Sequence, residues 1–410
     1  MRVSDKGLGA PVRFRFDGVG YSGRAGDTVA SALLANGVRL MGRSFKYHRP
    51  RGVLSAGSEE PNALVTIGRG AQAEPNVRAT VQEIYEGLEV YSQSAWPSLK
   101  FDVMAVNDIA APFLGAGFYY KTFMWPKAFW EKLYEPVIRR AAGLGRLSGK
   151  DNPDIYDRAF AFCDLLVIGA GPSGLMAARV AAEAGLDVIV CDEDSIMGGL
   201  LLAEVGGRAG ADWAAAQVTA LAAMPNVRLM ARTTVTGAYD GGVFGALERV
   251  GHHLPRSSAP LECFWRITAR RSILCAGALE RPIAFEDNDR PGIMTAGAVR
   301  AYLNRWGVVA GKSVAVFGNN DDAHRTARDL HKAGVKVTAL IDSRAGVQVG
   351  DLPYPVHLGA QVCGSTGRLG LTGIKVRKGD RVLHVAAECL AVSGGWNPTV
   401  HLACHMNGRP

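Results

Sequence analysis

The sequence predicts an α/β protein with a parallel, doubly wound sheet, preceded by a small α+β unit. Two observations carry this. From Phe162 onward, short apolar runs that read as strands alternate with helical segments: DLLVIG, a helix through Ala184, DVIVC, and later RSILCAG, SVAVFG and KVTALI. Before residue 95 the pattern differs, with brief alternating strands broken by turns. The chain has 410 residues, 48% hydrophobic and 20% charged, enough for two or three domains with their own cores. That composition excludes a disordered chain.

In order along the chain, residues 1–95 form the first expected domain. Val12-Arg13-Phe14-Arg15-Phe16 alternates apolar and charged side chains, as a half-buried strand does, and Asp17-Gly18 supplies a turn. Asp27-Thr28 then precedes VASALLANG, a helix that ends on glycine. Strand, hairpin, helix and further strand give a β-grasp, ferredoxin-like unit. Residues 96–160 are expected to be a connecting arm rich in rings (Trp96, Phe118, Tyr119, Tyr120, Phe123, Trp125, Phe129, Trp130, Tyr134) and then basic (Arg139, Arg140, Arg146, Lys150). Packing onto the next domain is the simpler expectation for these rings, a partner interface the other. Residues 161–410 form the dinucleotide-binding domain, with a second, similar subdomain inserted at about 285–390.

The chemistry is concentrated in DLLVIGAGPSGLMAARVAAEAGLDVIVCDED. A strand runs into Gly169-Ala170-Gly171-Pro172-Ser173-Gly174, and a helix follows. The first glycine permits the tight turn, the second lets backbone amides approach a pyrophosphate, and the third lets the helix pack closely on the strand. The anion then rests on a helix N-terminus. Asp192 closes the next strand 18 residues after Gly174, where a carboxylate accepts hydrogen bonds from the adenosine ribose. Glu193 and Asp194 beside it disfavour a 2′-phosphate, which favours NAD or FAD over NADP. This is a Rossmann fingerprint in its full context. A second turn, SVAVFGNNDDAHRTARDL, places Gly318, Asn320 and Ala323 at the glycine positions, with Asp321 and Asp322 repelling phosphate; it is read as kept for structure and empty.

Gly198-Gly199 follow Asp192 by six and seven residues and resemble the loop that covers the cofactor in the thioredoxin-reductase superfamily. Ile273-Leu274-Cys275-Ala276-Gly277-Ala278 resembles that superfamily's second signature, with Cys275 in place of threonine. Residues 42–52 (GRSFKYHRPRG), then SAGSEEPNALV, ALERPIAFEDNDRPGIMTAGAVRAYL and AVSGGWNPTVHL, closely resemble the α subunit of heterotetrameric sarcosine oxidase across nearly the whole chain. The resemblance implies NAD held non-covalently at Gly169, Gly171, Ser173 and Gly174. It implies the ribose at Asp192 with Glu193 and Asp194, a cover at Gly199 and Leu200, adenine against Val235, and closure by Gly394-Gly395-Trp396. It also implies β, γ and δ partner subunits, FAD and covalent FMN carried with β, and a C-terminal tetrahydrofolate-binding domain that is missing from this sequence, which ends at Pro410. The implied holoenzyme oxidises sarcosine with oxygen, giving hydrogen peroxide and methylenetetrahydrofolate. An FAD-binding subunit of an opine or other secondary-amine dehydrogenase, or a non-catalytic scaffold, are the alternatives. Family relatives carry iron–sulfur cysteines in the ferredoxin-like domain; here Ser55, Ser58, Glu59 and Glu60 stand in that neighbourhood and are poor cluster ligands, so no cluster is expected.

The remaining features are weaker. The net charge of +8, from 46 basic and 38 acidic residues, fits a basic patch or an anionic ligand, and no nucleic-acid motif accompanies it. Seven cysteines without a C-x-x-C pair read as reduced, mostly buried thiols, Cys191 among them. The charged N-terminus lacks a secretory apolar run, and Leu165–Val180 is broken by glycines and reaches Arg179, so a cytoplasmic protein without a membrane anchor is expected. Arg43, Lys46, His48, Arg49 and Arg51 could hold a flavin phosphate or form a solvated face. His252-His253, and His401 with Cys404 and His405, are expected to be loop or surface residues and not metal ligands. No Ser/His/Asp arrangement or dedicated general base is evident, so catalytic residues are expected on another chain.

Overall fold

A computed structural model describes residues 1–5, 7–113, 115, 117, 125–204 and 207–408. The N-terminal domain is built from β1 (Pro11–Phe16), β2 (Val19–Arg24), α1 (Val29–Ala35), β3 (Gly42–Arg43), β4 (Pro50–Arg51), β5 (Leu64–Ile67), β6 (Glu74–Arg78) and β7 (Leu88–Ser92). Its main sheet has the order β2-β1-β7-β5-β6, with β1 and β7 parallel. β1 alternates exposed and buried positions, so Val12, Phe14 and Phe16 face the core while Arg13 and Arg15 face solvent. α1 begins with a reciprocal capping box between Thr28 and Ser31 and is followed by Gly37 at φ +76°. The ferredoxin-like expectation is met.

The arm after β7 contains α2 (Val106–Ile109) and α3 (Glu135–Ala142). Its described rings are not packed away: Trp96 is 66% and Trp125 83% exposed, and Phe129 is exposed as well. The simpler expectation, rings buried on the next domain, fails for these three residues, whereas Trp130 and Tyr134 are half-buried and Phe129 packs edge-on against Tyr134. Phe118, Tyr119, Tyr120 and Phe123 lie outside the described residues.

The first nucleotide domain comprises β8 (Tyr156–Ile168), α4 (Pro172–Glu183), β9 (Val188–Cys191), α5 (Gly207–Ala222), β10 (Val227–Met230), β11 (Thr233–Tyr239), β12 (Val243–Glu248) and β13 (Glu262–Leu274). The sheet order is β10-β9-β8-β13-β12-β11. The first four strands are parallel, but β12 runs antiparallel to both β13 and β11, unlike the uniform parallel sheet expected. The reason is local: β11 and β12 are joined by Asp240–Gly242, with Gly241 and Gly242 at φ +75° and +73°, and so short a link cannot make a parallel crossover. α4 and α5 share an apolar layer with Leu165, Val167, Val188 and Val190.

After β14 (Ala278–Glu280) comes the second nucleotide domain: β15 (Ile293–Thr295), α6 (Ala296–Trp306), β16 (Ser313–Gly318), α7 (Asp321–Lys332), β17 (Lys336–Asp342), β18 (Val356–Leu358), β19 (Gln361–Thr366), β20 (Gly373–Lys378), β21 (Arg381–Ala386) and β22 (Cys389–Ser393). Its five-stranded sheet, β15-β22-β16-β17-β18, is wholly parallel, and β19-β20-β21 form a separate antiparallel sheet against its core. β23 (Trp396–Pro398) pairs with β14 and returns the chain to the first domain, ending in α8 (His401–His405).

The N-terminal domain does more than precede the others. Its core is continuous with that of the second nucleotide domain, where Tyr302, Leu303 and Trp306 of α6 join Phe14, Leu33 and Val65. The basic run also belongs to this joint. Arg43 is buried and donates to the carbonyls of His48 and Leu99, and His48 Nδ1 lies 2.7 Å from Asp102. Arg49 pairs with Asp287 and, at 3.4 Å, with Asp289, and Arg51 pairs with Asp289. These guanidiniums are thus engaged by carboxylates of the same chain instead of standing ready for a flavin phosphate. Replacing Arg49 by alanine is expected to lower stability by about 1 kcal/mol, with the difference shrinking at high salt, as thermal melts at two ionic strengths will show.

Candidate nucleotide-binding site

The glycine turn lies at the C-terminal end of β8, where open α/β sheets bind ligands. Gly169 has φ +99°, and a Cβ there would strike the Cys275 carbonyl oxygen. A Cβ on Gly174 would collide with the carbonyl oxygen of Gly169. Both positions are therefore closed by packing. Gly171 is different, because a Cβ there would meet nothing within 4 Å. It is the N-cap of α4, which has no side-chain cap, and Pro172 and Ser173 after it are exposed. The uncapped helix start thus lies beside open space, and first-turn amides with the helix dipole behind them are the arrangement that receives a diphosphate.

Several predicted residues converge here. Cys275 N donates to Ile168 O at 2.7 Å, setting the exposed Ala276 and Gly277 beside the turn. A Cβ on Gly199 would come within 3.0 Å of Gly171 Cα, so Gly199 and the exposed Leu200 border the cleft. Asp192 Oδ2 accepts from Ala170 N at 2.6 Å and its Oδ1 from Asp194 N at 2.9 Å. The carboxylate therefore fastens the glycine turn to the end of β9. Burial, opposed by these two amides, pushes its carboxyl up to about 6. Val235, buried on β11, is tied in through Thr233 N, which donates to Asp192 O at 2.7 Å. The residues fit a dinucleotide: an uncapped helix start, a glycine with open space and a carboxylate at the next strand end.

Others are drawn elsewhere. Glu193 accepts from Ser58 Oγ at 2.7 Å, and Asp194 takes a bidentate pair from Arg305, at 2.5 and 2.7 Å. Burial pushes the Asp194 carboxyl up, but the Arg305 pair outweighs it and leaves it below the ordinary range. Both acids thus join domains, and the carboxylate bonded to the glycine turn is that of Asp192. Gly394 and Gly395 pack on Arg281, and Trp396 Nε1 donates to Asp322 at 2.7 Å. That segment closes over the second turn; its link to the first is Thr399 N donating to Gly277 O.

The second turn cannot receive phosphate in the same way. Asn320 caps α7, with its Oδ1 accepting from Asp322 N at 2.9 Å and from Ser393 Oγ. Asp321 and Asp322 occupy the first turn of the helix. A side chain and two negative charges stand where an anion would have to sit.

Sequence reasoning missed two groups. Glu280 on β14 accepts from Gly297 N at 2.5 Å, at the start of α6, while its other oxygen is buried without a hydrogen bond of good geometry, although the Ser393 hydroxyl is close enough to favour the carboxylate. Burial pushes this carboxyl up to about 7. Nothing in its setting, ALERP, with Arg281 next to it, marks it in the sequence. The second is the seam between the N-terminal and first nucleotide domains. A cavity of about 480 Å³ there is lined by Arg78, Glu83, Glu193, Arg249 and His252 among others and contains none of the glycine-turn residues. His252, expected to be a loop or surface residue, is instead largely buried, meets Glu262 at 3.1 Å and lies near Glu74. Arg256 at 3.2 Å already supplies a cation to Glu74, which makes this an ionic clasp. Cys191 is the packed thiol expected, pushed up to about 12 by burial, and His401, Cys404 and His405 are exposed. No helix among the described residues is long and apolar enough to cross a membrane.

Comparison with known proteins agrees with this geometry. Residues 9–95 match a family described as a 2Fe-2S iron-sulfur cluster binding domain, and residues 164–245 match one described as FAD dependent oxidoreductase. No cysteine precedes Cys163, so the first match lacks the thiolates that a cluster requires. The chain is 55% identical over its whole length to sarcosine oxidase subunit alpha of Rhizobium meliloti, covering 42% of that protein. It is 36% identical, over 96% of its length, to the same subunit of a Corynebacterium species, covering 38%. It therefore spans about two-fifths of the length of these curated relatives. Among solved structures, L-proline dehydrogenase from P. horikoshii matches the whole chain and 65% of its own, with a TM-score of 0.65 at 17% identity, a likeness of fold. Across its full length the chain is thus strongly homologous to a part of the longer sarcosine oxidase α subunits.

Proposed function

We propose that this chain is the nucleotide-binding part of the α subunit of a sarcosine-oxidase-like oxidoreductase. In this reading NAD lies non-covalently along Gly169–Gly174, with its ribose at Asp192. The observation that carries the proposal is the uncapped start of α4 at Gly171, open to solvent, next to a second turn that caps itself with Asn320. One intact site beside one closed site argues for a retained nucleotide instead of hydride traffic between two cofactors within the chain.

The chain's own residues bind and orient. The first-turn amides of α4 would hold the diphosphate, Asp192 would accept from ribose hydroxyls, and Gly199-Leu200 would border the cleft. Bound flavin, held with a β subunit, would supply the oxidation of the amine; this chain contributes no group to that step. Partner subunits β, γ and δ, and a folate-binding region, complete the activity in this proposal.

Identification of the nucleotide decides the matter. Protein purified with its neighbouring subunits is denatured, and the released small molecules are resolved by mass. NAD in near-stoichiometric amount is the expected result. FAD in excess of that held with β, and no NAD, would instead favour a flavin-binding subunit of a secondary-amine dehydrogenase, a reading prompted by the FAD dependent oxidoreductase match at residues 164–245. No nucleotide beyond the flavin held with β would leave a scaffold.

A further inference from the structure

The loop from Gly52 to Ala63 connects β4 to β5, contains Ser55, Ser58, Glu59 and Glu60, and lies within the residues that match a 2Fe-2S iron-sulfur cluster binding domain. At its centre Glu60 is 1% exposed. Its Oε2 accepts from Leu54 N and Ser55 N, both at 2.8 Å, and from Ser55 Oγ at 3.3 Å. Its Oε1 accepts from Asn62 N at 2.8 Å and Ala63 N at 3.1 Å. Donors from both ends of the segment thus converge on one carboxylate, and four of them are backbone amides. An ionised carboxylate offers about four lone-pair sites, so its acceptor capacity is filled. Successive amides turned toward one point form an anion-binding concavity, the kind of surface that also surrounds iron–sulfur clusters. Here the anion is part of the chain.

We propose that the Glu60 carboxylate stands in for the iron–sulfur cluster as the anion around which this loop folds, and that the loop so fixed positions both nucleotide domains. The second half of the proposal rests on what the outer side of the loop touches. Leu54 O accepts from Thr295 N at 2.8 Å and Ser55 O from Tyr302 Oη at 3.0 Å, which holds α6 of the second nucleotide domain. Ser58 Oγ donates to Glu193 at 2.7 Å, which reaches the first nucleotide domain one residue beyond Asp192. Thr80 Oγ1 donates to Gly57 O at 2.7 Å from within the N-terminal domain. Three domains therefore meet on a dozen residues whose inner side is organised by one charge. Burial pushes the Glu60 carboxyl above its ordinary range and the four amides only partly pull it back; the five close contacts given above are all N–H or O–H donors, the set that an ionised carboxylate accepts. The domain becomes a positioning module in place of an electron carrier.

The test uses the whole chain. Glu60→Gln keeps the size of the side chain but removes its charge and turns one acceptor into an N–H2 group facing amide N–H donors. The thermal midpoint is expected to fall by about 4–10 °C. In hydrogen exchange, a peptide covering 52–63 should lose its protection while one covering β1 and β2 keeps it. Glu60→Asp, which retains the charge on a shorter arm, should lie between, and it serves if the glutamine variant fails to fold. Separately, wild-type protein incubated anaerobically with ferrous iron and sulfide should keep no iron after desalting. Glu60→Gln protein that melts and exchanges like wild type would overturn the proposal, as would stoichiometric iron retained by the wild-type chain.

Discussion

Replacing Gly171 by arginine is expected to strip the dinucleotide from the protein while leaving the fold intact. A Cβ at this position meets nothing within 4 Å, so the new side chain does not need to displace any protein atom. It would instead fill the approach to the first-turn amides of α4 and exclude the diphosphate that they would hold. Loss of that contact should reduce nucleotide affinity by at least about 100-fold, because several charge-assisted bonds are lost together. Alanine at Gly174 provides the contrast: its Cβ would run into the Gly169 carbonyl oxygen, so this variant should lose stability as well as ligand. Alanine at Asp192 should weaken binding and also loosen the turn, since Ala170 N and Asp194 N both lose their acceptor. The readouts are nucleotide released per chain after denaturation, and the thermal midpoint of each variant. Gly171→Arg protein that keeps full nucleotide content would remove the site from the glycine turn.

The glycine turn was legible in the sequence because its logic is local. Strand, three glycines, helix and the next strand's terminal acid all fall between Leu165 and Asp192, and each spacing follows from backbone geometry. The α/β class was legible for the same reason, through apolar periodicity. What escaped was set by tertiary contact. Glu193 and Asp194 share their strand end with Asp192 and look alike in sequence, yet Asp194 is claimed by Arg305, 111 positions away. The basic run at residues 43–51 suited an anion until Asp287 and Asp289, on a distant segment, were seen to neutralise it. The antiparallel β11–β12–β13 turn-back depended on a two-glycine link that periodicity does not register. Glu60 was noticed only as a poor cluster ligand, because a nest of amides has no side-chain signature.

Glu280 leads to the second large expected effect, a pH dependence of stability with an unusual sign. Its carboxyl sits on the strand that connects the two nucleotide domains, with one oxygen on Gly297 N and the other buried without a hydrogen bond of good geometry, near the Ser393 hydroxyl. Burial raises it from an ordinary 4.5 to about 7. Between those two values the folded protein holds a proton that the unfolded chain has released, so stability falls as pH rises through this window. A carboxylate held by an ion pair does the opposite. The full difference is up to about 3 kcal/mol, reached once pH exceeds 7. Glu280→Gln removes the titration while keeping an oxygen for Gly297 N and placing an N–H2 group at the orphan position. The variant should therefore match wild type near pH 4.5 and be the more stable of the two at pH 8, by about 1–3 kcal/mol. Urea unfolding at these two pH values measures the difference. A glutamine variant whose stability follows the wild-type profile in parallel would show that the buried carboxyl at this joint does not titrate with folding.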